Sequence, residues 1–269
     1  MNAVGTLRYD QVAFKASHNS IDRRWSIADQ LSGASDLVEP CRAIELDLVQ
    51  AADRFEWTVA HGVTDDGPPL ETVLRQISAW AGKAQNRRHP VVTVHLDLKN
   101  AHGTLTGFAT AIDKLLVDEF GKQRLYRPAE VIGDHPDLVR GARAGGWATF
   151  EKLRGRFVFC LSGHAKRKAR YARHRPRERV CFADNAGSKG APRKGHRVFA
   201  NLFVEATGYK ANLNRVKRHP GFIARGYNIV IRKTWDRSVN GSANILSSDV
   251  LDSTDLSLGG DGFAPAGGA

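Results

Sequence analysis

Short apolar runs recur along this chain with helical patterns between them, and that alternation limits the folds open to it. The runs fall at 12–16, 42–48, 55–60, 91–98, 156–161, 179–183, 198–203, 227–232 and 244–247. Between them, 70–80 sets Leu70, Val73, Leu74, Ile77 and Trp80 on one helical face. The stretch 105–120 does likewise with Phe108, Ile112, Leu115, Leu116 and Phe120, and a shorter pattern covers 211–218. Eight or so strands separated by helices suit an α/β protein whose parallel sheet closes on itself, rather than a sandwich. The expectation is a single (β/α)8 TIM-like barrel, regular or distorted, over residues 1–258. The glycine- and alanine-rich end, 259–269, is expected to be disordered.

Composition narrows the class further. At 269 residues the chain can bury a sizeable core, and 42% hydrophobic residues are too many for a disordered protein. No run approaches the roughly 18–20 apolar residues that span a bilayer. Residues 1–10 lack the basic start and apolar core of a signal peptide. That pattern leaves the compartment open between a cytoplasmic protein, one exported by a specialised system, and a chain given in its mature form. Cys41, Cys160 and Cys181 are odd in number and widely spaced in apolar segments, which argues for buried reduced thiols.

Charge is distributed unevenly. Residues 163–233 hold 19 Lys and Arg against 3 acids, a local +16, while the whole chain carries +12. The rest of the chain therefore sums to −4. Such asymmetry points to a polyanionic partner. Lys166, Arg167, Lys168 and Arg170 open the basic stretch just after an expected strand, on a loop or short helix at the same barrel face as the strand ends.

In a barrel of this kind chemistry gathers at the C-terminal strand ends. The first run ends in Ser17-His18-Asn19-Ser20, which presents a proton carrier beside a neutral oxygen ligand. In the second, Glu45 and Asp47 alternate with Ile44, Leu46 and Leu48, so both carboxylates share a face. The third ends at His61, and the fourth offers His95, Asp97 and Lys99 on one side. A solvent-facing edge would explain Glu45 and Asp47 taken alone. Four successive strand ends carrying such residues argue for a shared site. Inward carboxylates repel unless a cation joins them, and Asn19, Glu45, Asp47 and Asp97 form an all-oxygen set suited to Ca²⁺ or Mg²⁺.

These residues also carry a family resemblance. Tyr9-Asp10-Gln11-Val12 through Ser17-His18-Asn19-Ser20 resembles the opening motif of phosphoinositide-specific phospholipases C. Arg42-Ala43-Ile44-Glu45-Leu46-Asp47 is similar to that family's Arg-x-x-Glu-x-Asp strand, and Val59-Ala60-His61 to its second-histidine strand. Gly146-Trp147-Ala148-Thr149-Phe150 through Leu153-Arg154-Gly155-Arg156 resembles the segment before the fifth barrel strand. Ile231-Arg232-Lys233-Thr234-Trp235-Asp236 and Ala243-Asn244-Ile245-Leu246-Ser247-Ser248-Asp249 resemble the last strands of the bacterial calcium-dependent branch. The likeness spans Tyr9 to Asp249. Ile21 and Val250 stand where that family usually has tyrosine.

The resemblance implies a metal-dependent phosphodiesterase that cleaves a phospholipid headgroup, of phosphatidylinositol type, by His-assisted intramolecular attack. It implies His18 and His61 as the catalytic pair, and Asn19, Glu45, Asp47 and Asp97 as Ca²⁺ ligands, with Glu45 or Asp47 doubling as base. Lys99 would neutralise phosphate, and Arg232 and Asp236 would touch the headgroup, while His95 has no counterpart. His95-Leu96-Asp97-Leu98-Lys99 also resembles a strand of glycerophosphodiester phosphodiesterases, which keeps that alternative open. The partner implied is a phospholipid in an anionic membrane, with Lys166, Arg167, Lys168 and Arg170 as the docking cations. No protein partner is implied, and nucleic acid is disfavoured. A non-catalytic basic module binding membrane or nucleic acid is the contrasting reading, but such a module has no use for inward carboxylates.

Overall fold

The computed structural model describes residues 3–34, 36–52, 55–62, 66–186 and 195–267. Lys189, Arg193 and Lys194 of the basic stretch, and the last two tail residues, lie outside them. Eight parallel strands close into a barrel: β1 (Val12–Ser17), β2 (Ala43–Gln50), β4 (Val92–Leu98), β5 (Phe157–Gly163), β6 (Phe182–Ala186), β7 (Phe199–Phe203), β8 (Ile223–Ile229) and β9 (Ile245–Ser248). Two antiparallel strands are added, β3 (Trp57–Val59) on β2 and β10 (Phe263–Pro265) on β1. Helices α1 (Ile27–Ser32), α2 (Leu70–Gly82), α3 (Leu105–Phe120), α4 (Pro128–Ile132), α5 (Leu138–Arg143), α6 (Ala165–Arg173), α7 (Tyr209–Lys217) and α8 (Arg232–Asn240) fill the connections. Among the described residues no helix is long and apolar enough to cross a membrane.

Two apolar layers hold the barrel. Outside it, the stripes read from the sequence meet the sheet: Leu70, Val73, Leu74, Ile77 and Trp80 of α2 are buried, as are Phe108, Ile112, Leu116 and Phe120 of α3. Leu115 is only half-buried. Burying each such side chain contributes roughly 1.5–3 kcal/mol. Inside, aromatic rings plug the N-terminal end. Tyr9, from the turn before β1, packs on Phe14 at 5.2 Å and on Trp147 at 5.1 Å, and Trp147 stacks on Phe182 at 5.3 Å. The Tyr9 hydroxyl meets Thr93 Oγ1 at 2.7 Å across the barrel floor. With its floor filled by these rings, the barrel opens toward its other end. Cys41, Cys160 and Cys181 are buried free thiols.

Four readings of the sequence are corrected. The run at 55–60 is not a barrel strand. β1 pairs with β2 only at Ala16–Ala43, at the start of β2, and Trp57–Val59 folds back on the far end of β2 along Leu48–Gln50. The run at 227–232 starts too late, because Ile223-Ala224-Arg225-Gly226 hides its strand character behind an inward arginine; Arg232 instead begins α8. The run at 179–183 is shifted, and Arg179 lies before β6, where it pairs with Asp113 at 2.8 Å. The tail is ordered in part, since Phe263–Pro265 pairs with β1 and Phe263 stacks on Phe150 at 4.5 Å.

Candidate active site

The C-terminal strand ends enclose a cleft of about 540 Å³ that His18, Asn19, Glu45, His61, Asp97 and Lys99 line together. His18 follows β1, its backbone N–H donating to Ser248 O at 2.9 Å. The chain then turns sharply through Asn19 at φ 45°, a left-handed conformation that asparagine tolerates better than most residues. That turn aims the His18 ring into the cleft. Its Nδ1 lies 3.0 and 3.1 Å from the two oxygens of Asp249, just beyond β9, and its Nε2 lies 3.5 Å from Glu45 Oε2. A carboxylate can only accept, and Asp249 is the one within good hydrogen-bond distance, so in the neutral ring Nδ1 carries the proton and Nε2, 3.5 Å from Glu45, holds the lone pair. Arg23 steadies Asp249 at 3.2 Å.

Glu45 is fully engaged. Arg225 of β8 donates to its two oxygens at 2.9 and 2.8 Å, and the Asn19 N–H adds a third bond at 3.2 Å. Burial alone would raise this carboxyl, but the Arg225 charge and hydrogen bonds outweigh it and bring the pKa down to about 2. Arg225 also donates to Asn201 Oδ1 at 3.1 Å and Ser247 Oγ at 2.9 Å, and lies 5.3 Å from the Tyr227 ring centre.

Asp47 is held differently. Lys99 Nζ sits 2.9 Å from Asp47 and 2.7 Å from Asp97. Burial nevertheless pushes Asp47 up to about 6, with Glu45 and Asp97 adding to the rise against the pull of Lys99. Oδ1 of Asp47 is buried with no hydrogen-bond partner. Oxygens of Glu45, Asp47 and Asp97 lie within 4.8 Å of one another. Three hard oxygen donors, one an orphaned buried atom, fit a divalent oxygen-seeking cation. Lys99 partners two of the carboxylates that such a cation would bind.

The remaining expected residues divide. His61 reaches the cleft from the loop after β3; its side chain is 61% exposed and its Nδ1 lies 3.6 Å from Asp22. Lys166 and Arg170 are exposed on α6. Lys168 is not a surface cation: it is buried against Asp184 and lines the cleft, because it falls on the inner face of α6. Arg167 is half-buried, donating to the carbonyls of His102 and Gly103 at 2.9 Å each. Arg232 and Asp236 are also corrected. They pair with each other at 2.7 Å on the exposed side of α8 and do not line the cleft. His95 of β4 is buried beside its register partner, Glu45 of β2, and burial drives its pKa well below the usual range.

Four site residues escaped the sequence reading. Asp249 and Asp22 each face a histidine, Arg225 clamps Glu45, and Tyr227 brings its ring to 5.7 Å from that of His18. Asp249 lay inside a stretch already singled out, so only its role was missing. Exposed apolar residues also stand at the C-terminal strand ends: Phe203, the last residue of β7, lines the cleft at 39% exposure, and Val230 and Ile231 follow β8 at 37% and 53%. Phe203 lies 5.5 Å from Tyr227, ring to ring.

The family profile described as "Phosphoinositide phospholipase C, Ca2+-dependent" matches residues 64–198. Among solved structures, a calcium-dependent phosphoinositol-specific phospholipase C from Pseudomonas sp. is similar, with TM-score 0.77 and 16% identity over 98% of this chain and 97% of that one. A Ca²⁺-dependent phosphatidylinositol-specific phospholipase C from Streptomyces antibioticus gives TM-score 0.73 and 16% identity, covering 97% and 99%. A glycerophosphodiester phosphodiesterase from Parabacteroides distasonis is more distant, with TM-score 0.55 and 12% identity over 89% and 94%. At these identities the structural likeness speaks to the fold. No curated protein matches the chain.

Proposed function

The chain belongs to the calcium-dependent phosphoinositide phospholipase C family and is a phosphoric diester hydrolase, and from that premise we propose that it cleaves phosphatidylinositol by intramolecular attack of a headgroup hydroxyl. The observation that carries this reading is the His18–Asp249 pair facing the Glu45, Asp47 and Asp97 cluster across one cleft. With Nδ1–H fixed on Asp249, Nε2 of His18 is the lone pair available to take the hydroxyl proton. Glu45, at about 2 and bonded to Arg225, is a poor base, so this assignment moves the proton-abstracting role from the carboxylates to His18.

The oxygen freed of its proton bonds to phosphorus, and the bond to the diacylglycerol oxygen breaks. His61, facing Asp22, returns a proton to that leaving oxygen. The product is a cyclic phosphodiester of the headgroup. Lys99 supplies positive charge beside the phosphoryl oxygens. Calcium, when held by Asn19, Glu45, Asp47 and Asp97, supplies further charge neutralisation there. Tyr227 offers a ring face against which a cyclitol can pack.

The membrane is the surface on which this substrate resides. Phe203, Val230 and Ile231 at the C-terminal strand ends would enter the lipid boundary, and Lys166 and Arg170 of α6 would contact anionic headgroups. Incubation with phosphatidylinositol vesicles, with calcium or with a chelator, tests the function. Phosphorus NMR should find a cyclic phosphate that forms only with calcium. Direct appearance of a linear phosphomonoester or of a glycerophosphate would reject the intramolecular route.

A further inference from the structure

The opposite end of the barrel carries a second cavity, of about 490 Å³. It lies at the N-terminal strand ends, between the end of α1, the α2–β4 connection, the start of β2 and the segment before β10. Arg42, Lys83, Arg88 and Arg154 line it, against one lining carboxylate, Asp261. Arg88 and Arg154 share a single partner, Glu151, at 2.8 and 2.6 Å. Positive charge is therefore in excess around this cavity.

Arg42 is its most telling residue. It is 7% exposed, and its Nε and Nη1 donate to backbone carbonyls, Asp261 O at 2.8 Å and Leu31 O at 3.0 Å. Among the described residues no carboxylate lies within ion-pair distance of it. Burial lowers its pKa to about 10, Asp261 opposing that fall and Arg154 adding to it. Buried charges are ordinarily paired, because desolvating an ion without a counter-ion is costly. Nη2 makes no bond of its own and is left for the cavity. Trp80, His89 and Phe263 add aromatic surface to the wall, beside the polar Ser32, Gln85 and Asn86. The Trp80 and His89 rings lie 5.0 Å apart at a tilt of 45°, and His89 donates from Nδ1 to Pro90 O at 2.7 Å, a neutral ring with no charge to add.

We propose that this cavity binds a small phosphate-bearing anion, with Arg42 as its buried anchor and Lys83 and Arg154 as flanking cations. Several cationic donors from separate segments suit a group with several acceptor oxygens and up to two charges better than they suit a carboxylate. The volume exceeds that of phosphate alone, which leaves room for an organic body beside Trp80. Ser32 Oγ accepts from Trp80 Nε1 at 2.8 Å and His89 is turned onto Pro90 O, so the site is assigned binding and no reaction. It is separate from the phosphodiesterase cleft and independent of the reaction assigned there.

Calorimetry with phenyl phosphate and with inorganic phosphate, under chelation, tests it on the full chain. Lys83→Gln combined with Arg154→Gln should weaken binding about tenfold or more, the effect of losing charge-assisted bonds. Lys99→Met, which alters the catalytic cleft, should leave it unchanged. Tighter binding of phenyl phosphate identifies a phosphomonoester ligand; equal binding identifies free phosphate. Arg42→Gln should abolish binding if circular dichroism shows it folded; if it is not, the surface pair decides. Absence of millimolar binding, indifference to the Lys83 and Arg154 changes, or loss in Lys99→Met instead would overturn the proposal.

Discussion

Arg225 holds both oxygens of Glu45, at 2.9 and 2.8 Å, inside a barrel where both residues are almost wholly buried. The pair fixes Glu45 as an anion and points it at the mouth of the barrel, ready to be shared with a cation rather than to accept a proton. Removing one partner should be worse than removing both. Arg225→Met strands a buried carboxylate and is expected to lose about 3–5 kcal/mol of stability. Adding Glu45→Gln to it should restore a good part of that loss while leaving turnover low. Urea unfolding in chelator checks both. Equal stability of the single and double variants would show that the pair has no special role.

Cation binding should follow the carboxylates. Asp47→Asn and Asp97→Asn remove charge from the oxygen cluster, and each should weaken calcium affinity by tenfold or more, since ligand charge governs such sites. Calorimetry at neutral pH reads this directly. Lys99→Met is expected to act in the opposite sense and tighten calcium, because its ammonium competes for Asp47 and Asp97. Unchanged affinity across all three variants would remove the cluster as the metal centre.

The two histidine pairs predict a graded loss of turnover. His18→Ala and His61→Ala should each lower kcat by about 10²-fold or more with the fold intact. Asp249→Asn should follow His18, since it removes the acceptor that fixes the ring. Asp22→Asn should lower kcat less, because its 3.6 Å contact is loose and solvent-exposed. His95→Asn is the control: any defect there should track thermal stability, because His95 is buried.

Much of this site was legible because strand periodicity exposes it. Glu45 and Asp47, like Asp97 and Lys99, sit two residues apart among aliphatic neighbours, and period-two alternation turns them to one side. Arg225 was hidden because small residues flank it in Ile223-Ala224-Arg225-Gly226, and because its partner lies 180 residues away in the chain. Asp22 and Asp249 are contacts made by turns, which carry no periodic signal. Lys168 shows the opposite failure. A run of basic residues reads as one surface, yet a helix sends every third or fourth side chain inward, and Lys168 is the one that meets Asp184. The excess of charge was real, but its members do not share one task.

Acid should destabilise the fold through His89. Burial lowers its pKa to about 4 from 6.5, so the folded state resists the proton that the unfolded chain accepts. The stabilisation is fully present above about 6.5 and is lost as pH falls toward 4, by roughly 3 kcal/mol at most. Asp47, raised from 3.8 to about 6, works in the reverse direction over a similar range in the absence of calcium, losing stability as pH rises. From pH 4 to 7 in chelator, stability should therefore rise with pH more steeply in Asp47→Asn than in the wild type, and fall with rising pH in His89→Gln. Identical profiles in the two variants would count against both assignments.

Membrane docking should separate into an electrostatic and an apolar part. Lys166→Gln with Arg170→Gln removes two exposed cations of α6, each contributing on the order of 1 kcal/mol near an anionic surface. Vesicle binding should weaken and lose some of its salt dependence, while hydrolysis of a soluble headgroup ester stays as it was. Phe203→Ser with Ile231→Ser should weaken binding to neutral and anionic vesicles alike, with little change in salt dependence, because it removes exposed apolar area rather than charge. Lys168→Gln belongs to neither set. Buried on Asp184 in the cleft wall, it should leave vesicle binding intact and lower turnover on soluble ester. Were Lys168→Gln to weaken vesicle binding as strongly as the Lys166 and Arg170 changes, the basic stretch would act as a single docking surface and the division drawn from its burial would fail.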